Sequence, residues 1–374
     1  MSANKPPFDG EWVRLNQLCM KGRSALRQKD LIDDGPYAVY GASGIIGSMS
    51  TFQNSARYVA VVKDGAGVGR VNLCSARTSV LGTMQALIPT EMVLPEYLLH
   101  LIRAMRLGDG FSGSTIPHIY FKDYGQRLVR YVSMADQERI VGTLGSIEDQ
   151  IDILHQQKER LDTLVKSRFV EMFGDPIDGS LWVKSRLSEL YEVKSSKRIY
   201  ARDQVDEGVP FLRLADIGAL IDSGTANSGL FISEEHFEGL KAKGQVPAPG
   251  DVLVTARGTL GRCYVIKSDD RFYFQDGMIT WLAASEDCLL SDYLLAVFNN
   301  SHFNEELNRN CSGTTVKYLS ISDLANMTVP VPPFALQQEF ASFVAEVDKS
   351  RFIVQQKIEK LQTLYDSLAQ EYFG

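Results

Sequence analysis

The chain has 374 residues, of which 44% are hydrophobic and 23% charged, and its formal net charge is −7. That length implies two or three domains and that composition a soluble globular protein; no apolar run approaches the ~18 residues of a membrane span, and the opening "MSANKPPFDGEW" has no basic-then-apolar signal region, so a cytoplasmic location with no membrane partner is expected. Five scattered cysteines without a Cys-x-x-Cys pair, and five histidines without a His-Glu-x-x-His cluster, argue for a reducing compartment and against a metal centre.

The first stretch that invites a functional reading is "VVKDGAGVGRVNL", residues 61–73, where Gly65, Gly67 and Gly69 follow an apolar run like a phosphate-binding loop. A dinucleotide loop must open a helix that receives the phosphate. Here the residues that follow read as strand, so the stretch is expected to be a tight turn between two strands. Next comes "SGST" at 112–115, a hydroxyl-rich loop followed by His118. After it, Ile140, Leu144, Ile147, Ile151, Leu154, Leu161 and Val165 recur at steps of three and four, the seam of a long amphipathic helix that Gly174, Asp175 and Pro176 end.

From there the chain repeats itself. Residues 112–174 align without a gap on residues 312–374, with 17 identities in 63 positions. Gln137 matches Gln337, Asp123 matches Asp323, and both copies close in Phe-Gly. Upstream the likeness is weaker: "WVRLNQL" from Trp12 resembles "WVKSRLSEL" from Trp182, and "LPEYLLHLI" resembles "LSDYLLAVF". Opposite the glycine loop stands "LVTARGTLGRCYVI", residues 253–266, which keeps only the last glycine and its arginine. A nucleotide loop would not tolerate that loss, and the turn reading follows. The second helix carries Val344, Val347, Val354, Ile358, Leu361 and Leu368 at the same seam spacing, and Pro332 and Pro333 precede it. Lys158 and Arg351 interrupt the two stripes, either by snorkelling at the seam edge or by fixing register.

The expected architecture is therefore α/β (α+β): two pseudo-repeated, strand-rich mixed α/β domains joined by a pair of long antiparallel coiled-coil helices. The boundaries read as 1–133 for the first head, 134–174 for its helix, 175–333 for the second head and 334–374 for its helix. About 37 helical residues give a strut of roughly 55 Å. The first head carries 15 basic and 10 acidic residues, the second 15 and 22. Charge alone therefore favours nucleic acid for the first head only. Candidate DNA contacts are Lys63, Arg70, Ser112, Ser114, Thr115 and His118 in the first half. In the second they are Lys197, Arg198, Arg257, Thr259, Arg262, Thr314, Thr315 and Lys317. Guanidinium forks suit guanine edges and phosphates, and hydroxyls suit either; the hydroxyl loops read equally well as caps or turns.

Catalytic readings find little support. "KPPF" and "VPPF" put Lys5 and Val331 where an adenine methyltransferase needs Asn or Asp, and "EVK" at 192–194 has nuclease spacing but no equivalent in the first copy. A stand-alone nuclease or methyltransferase, and a two-headed protein scaffold, remain the alternative readings.

Taken in order and twice over, these features resemble the specificity subunit of type I restriction–modification systems. The carriers are the tandem halves, "GSTIPHI" and "GTTVKYLSISDLANMTVPVPP", "DQERIV" and "LQQEF", "LVKSRFVEMFGDP", "GPYAVYGASGIIG" and "GVPFLRLADIG". The resemblance implies a non-catalytic chain whose heads are target recognition domains for a split double-stranded DNA site. It implies two methylation subunits docked on it and restriction subunits joining through the complex. S-adenosylmethionine, ATP and magnesium would then belong to those partners, with no cofactor on this chain.

Overall fold

The computed structural model describes residues 8–110, 117–178, 181–285, 289–311 and 317–374. The chain divides into two compact units, Met1–Gln157 with Val354–Gly374, and Lys158–Ile353. Each unit thus combines one head with a stretch of both long helices.

In the first unit the strands are β1 (Gly10–Arg14), β2 (Cys19–Lys21), β3 (Tyr37–Gly41), β4 (Gly44–Met49), β5 (Tyr58–Val62), β6 (Val71–Cys74), β7 (Ser79–Val80), β8 (Met84–Pro89) and β9 (Leu128–Val132). They form an antiparallel sheet in the order β2-β8-β5-β6, a three-stranded sheet β4-β3-β7 and the pair β1-β9. All five residues of β5, "YVAVV", are buried, as a β-branched run flanked by strands on both sides and covered on both faces should be. β3 and β7 run parallel, with Val39 opposite Ser79.

The second unit has β10 (Lys184–Arg186), β11 (Tyr191–Lys194), β12 (Gln204–Val205), β13 (Val209–Leu212), β14 (Phe231–Ile232), β15 (Val252–Thr255), β16 (Cys263–Val265), β17 (Tyr273–Phe274), β18 (Ile279–Ala284) and β19 (Thr328–Pro330). The order β11-β18-β15-β16 repeats the first sheet, β10-β19 repeats β1-β9, and β13 runs parallel to β17 as β3 does to β7. The duplication seen in the tails therefore extends to the central sheet of each head, while the smaller sheets differ, β4-β3-β7 in the first and β12-β14-β13-β17 in the second.

The two long helices are Met134–Phe173 and Phe334–Phe373, 40 residues each or about 60 Å at 1.5 Å per residue. Gly174 ends the first in the left-handed region, φ +75°, its amide donating to the Val170 carbonyl. In the first unit Ile140, Leu144 and Ile147 of the first helix share one core with Tyr365, Ala369, Tyr372 and Phe373 of the second. In the second unit Phe169 and Phe173 pack on Phe340 at ring separations of 5.7 and 5.6 Å. There Arg168 reaches Glu339 at 2.8 Å and Asp162 meets Arg351 at 2.7 Å, so the helix segments in that unit run antiparallel. Of the seam residues, Ile140, Leu144, Ile147, Leu154, Val344, Val347, Val354 and Ile358 are buried, while Ile151, Leu161, Leu361 and Leu368 are half-buried. Arg351 bridges Asp162 and Asp348 (2.6 Å). Lys158 is exposed.

Each head is fastened to its helix by the same buried glutamine. Gln137 accepts from the Leu94 amide at 2.9 Å and donates to the Met92 and Val132 carbonyls at 2.9 and 3.0 Å. Gln337 accepts from the Leu290 amide and donates to the Pro332 carbonyl, both at 2.9 Å. Tyr97 and Tyr293 repeat the pattern one step away, donating to the Arg130 and Pro330 carbonyls at 2.8 and 3.0 Å. The first unit adds Arg130, 3% exposed, which donates to the Tyr372 carbonyl at 3.3 Å and to the Phe8 carbonyl.

Candidate nucleic-acid interface

The glycine stretch is a hairpin turn between β5 and β6, as its flanking sequence implies. The Val62 amide donates to the Arg70 carbonyl at 2.8 Å, and the Gly69 amide returns to the Val62 carbonyl at 2.8 Å. The second head closes identically with one residue fewer: Thr255 donates to Arg262, and Gly261 to Thr255, both at 2.9 Å. The kept glycine has two reasons to be there. Its φ is +85° at Gly69 and +74° at Gly261. A methyl at Gly69 would also stand 2.3 Å from the Gly108 amide nitrogen, and one at Gly261 would stand 2.9 Å from a Leu307 methyl.

The chain then returns to dock on the hairpin. The Ile119 amide donates to the Lys63 carbonyl at 3.0 Å, and the Leu319 amide to the Ala256 carbonyl at 2.9 Å. In front of these joints lies a cleft in each head. The first, of about 570 Å³, brings Lys63 and His118 together with Lys21, Lys122, Asp64 and Gln85. His118 Nδ1 lies 2.6 Å from an Asp64 carboxylate oxygen, and its ring stacks near Tyr120, over which Lys122 is poised at 5.3 Å. The second, of about 470 Å³, brings Arg198 and Arg257 together with Arg213, Gln204, Gln275 and Asp276. Arg198 pairs with Asp276 at 2.8 Å, and the Arg257 guanidinium lies 5.2 Å from the Tyr318 ring centre.

Other sequence candidates sit elsewhere. Arg70 is exposed, its guanidinium folded against Gly67. Arg262 is paired with Asp222 on the helix Leu214–Ser223. Thr259 is exposed and its carbonyl accepts from the Thr255 hydroxyl at 2.6 Å. Lys197 is exposed, its amide donating to the Tyr273 hydroxyl at 2.8 Å, and Lys317 donates to the Asn308 carbonyl at 3.0 Å. Ser112, Ser114, Thr115, Thr314 and Thr315 lie outside the described residues. Sequence reasoning missed Lys21, Lys122 and Gln85, which only the β2-β8-β5 pairing and the docked return of the chain at Ile119 bring to one cleft. It also missed Arg213, although "GVPFLRLADIG" pointed to its neighbourhood.

The nuclease-like spacing does not assemble. Glu192 pairs with Lys194 at 2.6 Å, and that ammonium lies 4.1 Å from the Trp281 ring centre. The second carboxylate of such a site would be Asp175 or Asp178, but Asp175 accepts from the Ile177 and Asp178 amides at 2.8 and 3.1 Å and meets His302 at 2.7 Å.

Comparison with known proteins places this fold. Residues 179–363 match the family model for the type I restriction modification DNA specificity domain. The chain matches the type I restriction–modification specificity-subunit family by family model, relatives and fold. Specificity subunits are the non-catalytic members of such systems. A type I restriction enzyme specificity subunit of Haemophilus influenzae is 28% identical over 159 residues, 42% of this chain and 38% of that protein. The MjaIX specificity subunit of Methanocaldococcus jannaschii is 23% identical over 308 residues, 75% of this chain and 69% of that protein. The match thus spans under half of the first relative and about two thirds of the second. Among solved structures, the S subunit of a type I system from M. genitalium superposes with a TM-score of 0.55 at 16% identity, covering 100% of this chain and 98% of that one. A chain from a study of type I complex assembly and conformational transition gives 0.57 at 17% identity, covering 99% of both. These two likenesses concern the fold: two mixed α/β domains linked by long helices in mutual contact. Among the described residues no helix is long and apolar enough to cross a membrane.

Proposed function

We propose that this chain is the DNA-recognition subunit of a type I restriction–modification complex, in which each head reads one half of an asymmetric, split double-stranded site. On this reading the two long helices act as an antiparallel coiled-coil spacer that sets the gap between half-sites and docks two methylation subunits. Restriction subunits join through that complex, and S-adenosylmethionine, ATP and magnesium reside on the partners. One observation carries it: two heads built on the same central four-stranded sheet present clefts lined by different basic and amide side chains. A shared scaffold with divergent clefts suits two readers of unlike sequences. Phosphate contacts supply most affinity, and Lys21, Lys63 and Lys122 in one cleft and Arg198 and Arg213 in the other offer them. The cationic lining of the second cleft is the feature that reconciles DNA binding with that head's excess of acidic residues.

Selection of bound fragments from a random double-stranded DNA library, using the full chain with its methylation partner, tests the proposal. A motif of two unlike blocks separated by a fixed gap is the expected result. Enrichment of one uninterrupted block, or of none, contradicts it.

A further inference from the structure

The internal duplication allows the two heads to be compared atom for atom at one place. Three backbone hydrogen bonds fix the correspondence. The amides of Lys63 and Ala256 each donate across the sheet, to the carbonyls of Thr83 and Met278 at 3.0 and 2.9 Å. The carbonyls of the same two residues accept from Ile119 and Leu319. The hairpin closures at Val62 and Thr255 are also alike. Asp64 therefore corresponds to Arg257, and His118 to Tyr318. One head holds a carboxylate against an imidazole at 2.6 Å; the other holds a guanidinium over a phenol ring at 5.2 Å. The backbone is conserved and the chemistry is inverted.

Resting on the recognition role proposed above, we infer that this paired position is where each head reads a base, Asp64 with His118 in the first half-site and Arg257 with Tyr318 in the second. Asp64 is the informative member. It lies in a cleft with three lysines, where DNA phosphates would be expected to settle, and a carboxylate repels phosphate. Its two oxygens accept hydrogen bonds, which suits an exocyclic amino group, cytosine N4 by the usual pairing of acidic side chains with bases. Arg257 offers the complementary pattern, a planar donor fork that fits guanine O6 and N7. Tyr318 lies under that guanidinium and His118 beside that carboxylate, so each reading group is held by a ring from the corresponding returning segment of its own head. Both pairs remain partly open to solvent: the His118 and Asp64 side chains are 35% and 29% exposed, and Tyr318 is 38% exposed.

The test compares the full chain, assembled with its methylation partner, as wild type, Asp64→Asn and Arg257→Gln, each selected against a random double-stranded DNA library. Thermal melting at the wild-type temperature verifies folding, with Asp64→Glu and Arg257→Lys as replacements for a variant that fails it. Asp64→Asn, which turns one of the two acceptor oxygens into a donor, is expected to lower preference for the wild-type base at one position of one half by roughly 5- to 100-fold, the range for a mismatched base-edge contact. The other half stays unchanged. Arg257→Gln does the same at one position of the opposite half. An unchanged motif overturns the inference while leaving the recognition role intact. So does equal weakening on all sequences with a reduced salt dependence, which marks a phosphate contact. A wild-type chain that enriches no split motif overturns the recognition role itself and the inference with it.

Discussion

Truncating Gln137 to alanine should release the first head from its long helix. The side chain is fully buried and makes three hydrogen bonds, one from the Leu94 amide and two to the Met92 and Val132 carbonyls. At about 1 kcal/mol net for each bond, the loss is about 3 kcal/mol, and more if the freed backbone groups stay dry. Gln337, 3% exposed, makes two such bonds, so Gln337→Ala should cost about 2 kcal/mol. A protein of two units need not unfold in one step, so the assay must resolve them, and native-state amide hydrogen exchange does so. In Gln137→Ala the slowest-exchanging amides of β5 and β8 should exchange roughly a hundredfold faster, with those of β15 and β18 little changed. Gln337→Ala should show the reverse. A change under fivefold in the affected head, or equal acceleration in both, would refute the idea that these glutamines act as separate clamps.

His100 supplies a pH test. Burial, with Arg103 adding to it, pushes its imidazole down to about 4, while its Nδ1 lies 2.8 Å from the Tyr365 hydroxyl. The unfolded chain takes up a proton near pH 6.5 and the folded one only near 4. Stability of the first unit is thus full above about pH 6.5 and falls by roughly 3 kcal/mol as the pH drops toward 4; His100→Gln should flatten that slope in pH-dependent denaturant melts. Gly69→Ala should destabilise more than Gly261→Ala by thermal melting, because its methyl meets backbone where the other meets a flexible leucine, and both also strain a positive φ. Inserting four residues into both long helices, about 6 Å of rise, should lengthen the preferred gap between half-sites and alter neither half; an unchanged gap would show that the helices do not set it.

The long helices were readable because their signal is periodic and present twice: apolar steps of three and four, a Gly174 stop, and prolines before Phe334. The hairpin was readable because strand-like residues, not a helix, follow the glycines in both copies; the hydrogen bonds set Gly65 opposite Gly258, both at positive φ (+84° and +66°), so Gly67 is the glycine that the second copy drops. The clefts were less visible. Lys21, Lys63 and Lys122 are far apart in sequence and meet only through β2-β8-β5 pairing and the return of Ile119 to Lys63. Arg262 looked like a contact because it follows the kept glycine, but Asp222, 40 residues earlier, holds it, and no local pattern announces such a pair. The unit division was also out of reach of sequence: helix periodicity runs unbroken through Gln157 and Val354, where the contacts divide.

The central claim is that two independent readers share this chain while chemistry resides on other polypeptides. The most direct measurement is a genome-wide map of methylated bases in cells that carry the system with the native chain, and with the first head exchanged for that of another family member. The account predicts a split methylated motif in which one block changes and the other block and the gap persist. Both blocks changing together, or methylation without sequence preference, would contradict it.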